Sequence, residues 1–192
     1  MTLTFAAFDV ETANPTRGSI CAVGVAIVAD GVRVATHSWL CRPPAAVGQF
    51  ARMNMRIHKI TPQRVLGRPE FAQLLPEVLD VIGDLPVVAH NAAFDMDNVS
   101  RACGFSAVTL PDWRYGCSLG WARQQLRLES YKLDHVAAAL GVALDEHHEA
   151  GADAAAAADV TIGLARLAGA RNLLDLAAAN GTELISLGKR RR

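Results

Sequence analysis

The chain has very little lysine. Only Lys59, Lys132 and Lys189 are present, and arginine supplies the rest of the positive charge. Nineteen basic residues balance nineteen acidic ones, for a formal net charge of zero. That excludes a protein that coats polyanions generally, so any nucleic-acid binding has to be local. The four cysteines, Cys21, Cys41, Cys103 and Cys117, lie far apart and form no C-x-x-C pair. They make neither a zinc site nor a disulfide framework, and they fit a reducing compartment. The N-terminus lacks a basic segment followed by an apolar one, which argues against a signal peptide. No apolar run reaches the roughly 20 residues of a membrane-spanning helix. Internal repeats, interdomain linkers and Gly-rich phosphate loops are also missing. The expectation is a cytoplasmic protein without membrane association, one domain over residues 1–188 and a short basic tail at 189–192. A composition of 51% hydrophobic and 20% charged residues over 192 positions fits such an ordered domain.

What is present starts with Thr4–Glu11, Thr-Phe-Ala-Ala-Phe-Asp-Val-Glu, which reads as a buried strand. Side chains alternate along a strand, so Asp9 and Glu11 share one face while Phe8 and Val10 take the other. Two neighbouring buried carboxylates repel, and a hard divalent cation such as Mg²⁺ or Mn²⁺ relieves them. Taken alone, the pair reads equally well as a strand ending in two solvated acids.

Further along, Ser19–Ala29 and Val32–Cys41 read as strands joined by the Asp30-Gly31 turn, giving an antiparallel meander. Residues 43–68 have weak periodicity and read as a long loop. Arg52, Arg56, His58, Lys59 and Arg64 in it are either phosphate contacts or a solvated surface. An amphipathic helix follows from Pro69 to about Gly83, then a short strand at Leu85–Ala89. A helix is expected over Ala92–Cys103, stopped by Gly104. One more strand falls around Trp113–Tyr115, and helices at Ser118–Leu128, Lys132–Leu140, Glu149–Ala168 and Asn172–Ala179. The alternation makes the chain α/β.

Two more acids stand out by helical geometry. At about 100° per residue, Val160, Leu164 and Leu167 fall within roughly 40° of Asp153, which puts that acid on the apolar stripe. Asp159 lies about 120° away, toward solvent. Val99 and Ala102 likewise share the face of Asp95, while Asp97 points away. Acids favoured by a helix N-terminus are the alternative reading; it covers Asp153 in the first turn but not Asp95 on an apolar face. His148, just ahead of the last long helix, is of a type that takes a proton from water near neutral pH.

Three segments carry a resemblance: Phe8-Asp9-Val10-Glu11-Thr12, Ala89-His90-Asn91-Ala92-Ala93-Phe94-Asp95 and His148-Glu149-Ala150-Gly151-Ala152-Asp153-Ala154. In this order they resemble the three exonuclease motifs of the DnaQ-like, DEDDh family of 3′–5′ exonucleases, which includes the proofreading epsilon subunit of bacterial DNA polymerase III. His58-Lys59-Ile60-Thr61 looks like the family's His-x-Ile-Thr connector. The resemblance implies an RNase H-like fold, a five-stranded mixed sheet flanked by helices. It implies two divalent cations, Mg²⁺ or Mn²⁺, held by Asp9, Glu11, Asp95 and Asp153, with His148 as general base. His147 is then a loop residue facing solvent or packing. It implies substrate contacts from Thr12, Asn91 and Phe94, the last by stacking on a base. The expected activity is 3′–5′ hydrolysis of single-stranded or frayed DNA to nucleoside 5′-monophosphates, as in DNA repair or proofreading. The alternatives are an RNA-trimming, oligoribonuclease-like enzyme and a non-catalytic polymerase- or nucleic-acid-binding module. Loss of a metal ligand would mark the last, and all four acids and the histidine are present. The sequence departs from Glu-Thr-Thr-Gly after the first motif, reading Glu11-Thr12-Ala13-Asn14. That departure, with little chain after the last helices, points to a free-standing enzyme, leaving association with a DNA polymerase open.

Overall fold

The computed structural model describes residues 2–144 and 147–188. The basic tail expected at 189–192 lies outside the described residues. Three strands, β1 (Phe5–Thr12), β2 (Ile20–Ala29) and β3 (Val32–Leu40), form the antiparallel meander expected from the Asp30-Gly31 turn. β4 (Val87–Ala89) then pairs parallel with β1, and β5 (Arg114–Cys117) parallel with β4. A two-residue strand β6, Ile185–Ser186, closes the edge antiparallel to β5. The mixed sheet runs β3-β2-β1-β4-β5-β6, six strands rather than five. Two residues are too few to show an alternating pattern, so β6 leaves no trace in the sequence.

Seven α-helices accompany the strands among the described residues: α1 (Arg52–His58), α2 (Phe71–Ile82), α3 (Ala92–Phe105), α4 (Ser118–Gln125), α5 (Leu133–Ala139), α6 (Ala150–Leu167) and α7 (Leu173–Ala179). α3 runs through Gly104; the left-handed residue that ends it is Ala107, with Val108 N–H on the Cys103 carbonyl. The segment expected to be loop at 43–68 contains α1.

The pleat of β1 sorts the molecule into two cores. Phe5 and Ala7 pack with α4, α5, α6 and α7 on one face. Ala6, Phe8 and Val10 pack with α2 and α3 on the other. Asp9 and Glu11 continue the row of Phe5 and Ala7, so the acids emerge where the first core ends. A register shift between Glu11 and Thr12 ends the regular pairing there, as bulges beside functional sites do. Among the described residues no helix is long and apolar enough to cross a membrane.

Candidate active site

Asp9 sits directly across from Gly24 of β2. That glycine admits the start of α6: a Cβ on it would lie 1.8 Å from the Ala150 carbonyl oxygen and 2.7 Å from the Gly151 nitrogen. The close seat brings the first turn of α6, and Asp153 with it, down onto the strand acids. Glu149 caps the helix by accepting from the Ala152 N–H at 2.8 Å, and Ser38 of β3 donates to the same carboxylate. Asp153 is buried, and one oxygen each from Asp9, Glu11 and Asp153 lie within 4.8 Å of one another. Asp95 approaches from α3. It is also buried, and accepts the Val10 N–H of β1 at 3.1 Å.

Burial, then the charges of Asp95, Glu11 and Asp153, push the Asp9 carboxyl well above the usual range. Burial, with Asp153 and Asp95 behind it, pushes Glu11 up to about 8. Asp95 is raised to about 8 mainly by burial, against hydrogen bonds from Val10 and its own backbone. Acids held this way release their strain to a cation. The donor set is oxygen only, which fits a hard divalent ion.

The family model for exonucleases matches residues 6–161. The chain belongs to the exonuclease family. The exonuclease family read from the three motifs is borne out. A DNA polymerase III of PolC type from Thermotoga petrophila is 30% identical over 189 residues, 90% of this chain. The chain spans 13% of that relative's length. In fold, the chain is similar to exonuclease X in complex with 5′-overhanging duplex DNA: TM-score 0.74, 24% identity, 92% of this chain and 99% of that one. It is also similar to the nuclease domain of 3′hExo bound to rAMP: TM-score 0.70, 16% identity, 98% of both chains.

Around the acids, the structure differs from the expectation at the third motif. His147 does not face away. Its Nδ1 lies 2.9 Å from Asp153 Oδ1, and the His148 backbone N–H donates to Asp153 Oδ2 at 3.0 Å. The alternation of an extended loop fails because His148 is left-handed, φ 72°. The turn stacks the two imidazoles, centroids 3.8 Å apart. Burial, and then His147, lower the His148 pKa below its ordinary value.

Beside Glu11 opens a pocket of about 500 Å³ bordered by Thr12, Arg17, Asn54, His58 and Phe94 among others. Asn91, left-handed at the start of α3, is exposed and is not among its lining residues. The Thr12 carbonyl accepts from Asn54 Nδ2 at 2.8 Å and from His58 Nε2 at 3.1 Å. His58 Nδ1 accepts the Ile60 N–H, so its proton is on Nε2. His58 therefore braces the loop after Glu11 and is no phosphate contact. His90 of the second motif does similar work, bridging Ser118 and the Tyr131 carbonyl. Phe94 carries the Arg17 guanidinium 4.2 Å above its ring. Sequence reading missed Arg17 and Asn54, and gave His147 to solvent or packing rather than to Asp153. Arg17 and Asn54 stand in segments without periodicity, and only their place in the fold reveals them.

Proposed function

We propose that residues 1–188 form one exonuclease domain that hydrolyses phosphodiester bonds at the 3′ end of single-stranded or frayed DNA, releasing nucleoside 5′-monophosphates. The observation that carries this reading is the convergence of Asp9, Glu11 and Asp153 within 4.8 Å, with Asp95 hydrogen-bonded to the same strand. These four carboxylates would hold two divalent cations, Mg²⁺ or Mn²⁺. When bound, the ions supply positive charge against the attacking and leaving oxygens of an in-line displacement. His148, neutral near pH 7 because its pKa is lowered, takes the proton from the attacking water. Thr12 and Phe94 border the pocket that receives the terminal nucleotide, and Asn91 contacts the strand from the start of α3. The guanidinium over Phe94 leaves a single ring face for a base, or itself extends the stacking platform.

DNA is favoured over RNA by the similarity to PolC-type DNA polymerases. Those relatives are far longer chains, which supports a second reading in which this exonuclease works beside a DNA polymerase. The deciding experiment degrades end-labelled single-stranded DNA and RNA side by side with Mg²⁺, Mn²⁺ or EDTA. A 5′ label should yield a descending ladder and a 3′ label mononucleotide at once, on DNA, with no product in EDTA. Mononucleotide released at once from a 5′ label, or full turnover in EDTA, overturns the reading; faster loss of RNA moves the substrate to RNA.

A further inference from the structure

Asp153 belongs to two sets of metal-capable groups. One is the all-oxygen set with Asp9 and Glu11; the other joins it to His147 and His148, again with one ligand atom from each within 4.8 Å. We infer that His147, His148 and Asp153 form a site for a borderline-soft transition ion of the Zn²⁺ class, and that an ion there shuts the hydrolytic site off.

Three observations support the site. First, the donors are two imidazole nitrogens and a carboxylate oxygen. That set suits Zn²⁺, which takes three protein ligands and leaves a fourth position for water. Mg²⁺ prefers oxygen alone. Second, adjacent histidines normally point apart, and here the left-handed φ of 72° at His148 brings the two rings to one side, 3.8 Å apart and 25° from parallel. Third, His147 Nδ1 already lies 2.9 Å from Asp153 Oδ1. Donors held about 2.0–2.1 Å from one tetrahedral ion lie roughly 3.3 Å apart, so a small opening of that contact admits the ion. The His147 side chain keeps 31% of its surface exposed, which leaves an entry path.

The consequence follows from sharing. Asp153 turned toward the imidazoles is lost to Asp9 and Glu11, and His148 ligated through its ring cannot accept a proton from water. The inhibitory half of the inference rests on the proposed function; the binding half does not.

The test therefore has two arms. In the first, metal-free protein is titrated with Zn²⁺ in competition with a chromophoric chelator, and with Co²⁺ followed by its visible absorption. The ion bound most tightly by wild type should show the intense absorption of tetrahedral Co²⁺. His147→Ala and, as a second variant, His147→Asn should weaken binding by more than roughly tenfold, at least the cost of losing even an outer-shell partner. Asp9→Asn should leave this binding within about threefold. Absence of a bound Zn²⁺, or loss of it in Asp9→Asn with retention in both His147 variants, overturns the site. In the second arm, hydrolysis in saturating Mg²⁺ is followed while Zn²⁺ is added, each protein normalised to its own uninhibited rate. Wild type should be inhibited and the His147 variants should resist. Equal inhibition of all three overturns the inference and leaves the nuclease reading standing. A wild type inactive in Mg²⁺ and Mn²⁺ overturns the nuclease reading, while the first arm still decides the site.

Discussion

Glu11 and Asp95, both raised to about 8, govern how the metal-free protein responds to pH. In the unfolded chain they titrate near 4.5 and 3.8. Between those values and about 8 the folded state holds more protons than the unfolded one, so stability falls as pH rises. His58 and His90, whose pKa values burial lowers below 6.5, act in the opposite sense: stability is lost as pH falls through the histidine range. Above about pH 7 the histidine contribution is flat and the acids dominate. The melting temperature in EDTA should therefore fall from about pH 7 to 8.5, and Mg²⁺ or Mn²⁺ should flatten the slope. Asp9→Asn should abolish hydrolysis while raising the metal-free melting temperature at pH 8 by about 2–4 °C, what roughly 1 kcal/mol is worth at this length. A flat or rising profile in EDTA would count against the buried acid cluster. The histidine pair makes a separate prediction. His148→Ala should lose about 10²–10⁴ in single-turnover rate while still binding DNA, the usual cost of removing a general base. His147→Ala should lose less than about tenfold, since it only holds Asp153. The opposite ranking, measured across about pH 6 to 9, would move the base to His147.

At the scale of elements, the site depends on how closely α6 sits on β2. Gly24→Ala puts a methyl group into the Ala150 carbonyl, and neither partner is a flexible side-chain end. The first turn of α6 must lift, taking Asp153 from Asp9 and Glu11. We expect a stability loss of about 1–3 kcal/mol, typical of overpacking, and a weaker divalent-ion affinity. Thermal unfolding and Mn²⁺ titration measure the two; wild-type values for both would show that the site does not depend on this close seat. This dependence on one glycine explains which parts of the site could be read from sequence. Asp9, Glu11, Asp95 and Asp153 were legible because periods of 2 and 3.6 assign a side chain to a face whatever the rest of the fold does. The meander and the long helices were legible for the same reason. α1 was not, because a seven-residue helix with only His58 buried carries no apolar stripe. The orientation of His147 was not, because a left-handed non-glycine residue leaves no signature. His58, by sequence either a phosphate contact or a solvated surface, is neither, because Thr12 and Ile60 take both ring nitrogens.

For the molecule as a whole, zero net charge means that nucleic acid is not drawn in by a general field. On the proposed reading, attraction has to come from Arg17 at the pocket and the exposed arginines of α1. Arg17 borders it, paired to Asp97 at 3.3 Å, and α1 supplies Asn54, Ile57 and His58 to its wall while Arg52 and Arg56 stay exposed. A strand whose 3′ end enters the pocket would pass these residues and touch few phosphates elsewhere. Each phosphate neutralised on a single strand contributes about −0.7 to the slope of log affinity against log salt. Two to four contacts therefore give a slope of about −1.4 to −2.8. The measurement is fluorescence anisotropy of labelled single-stranded DNA with the inactive Asp9→Asn protein, from about 50 to 200 mM salt. The Arg52→Ala, Arg56→Ala double variant should make the slope shallower by about 1.4 and weaken binding at low salt more than at high salt. A slope unchanged in the double variant would remove α1 from the strand's path. A wild-type slope near −7, about ten phosphates, would mean a long binding track that the balanced charge of this chain does not provide.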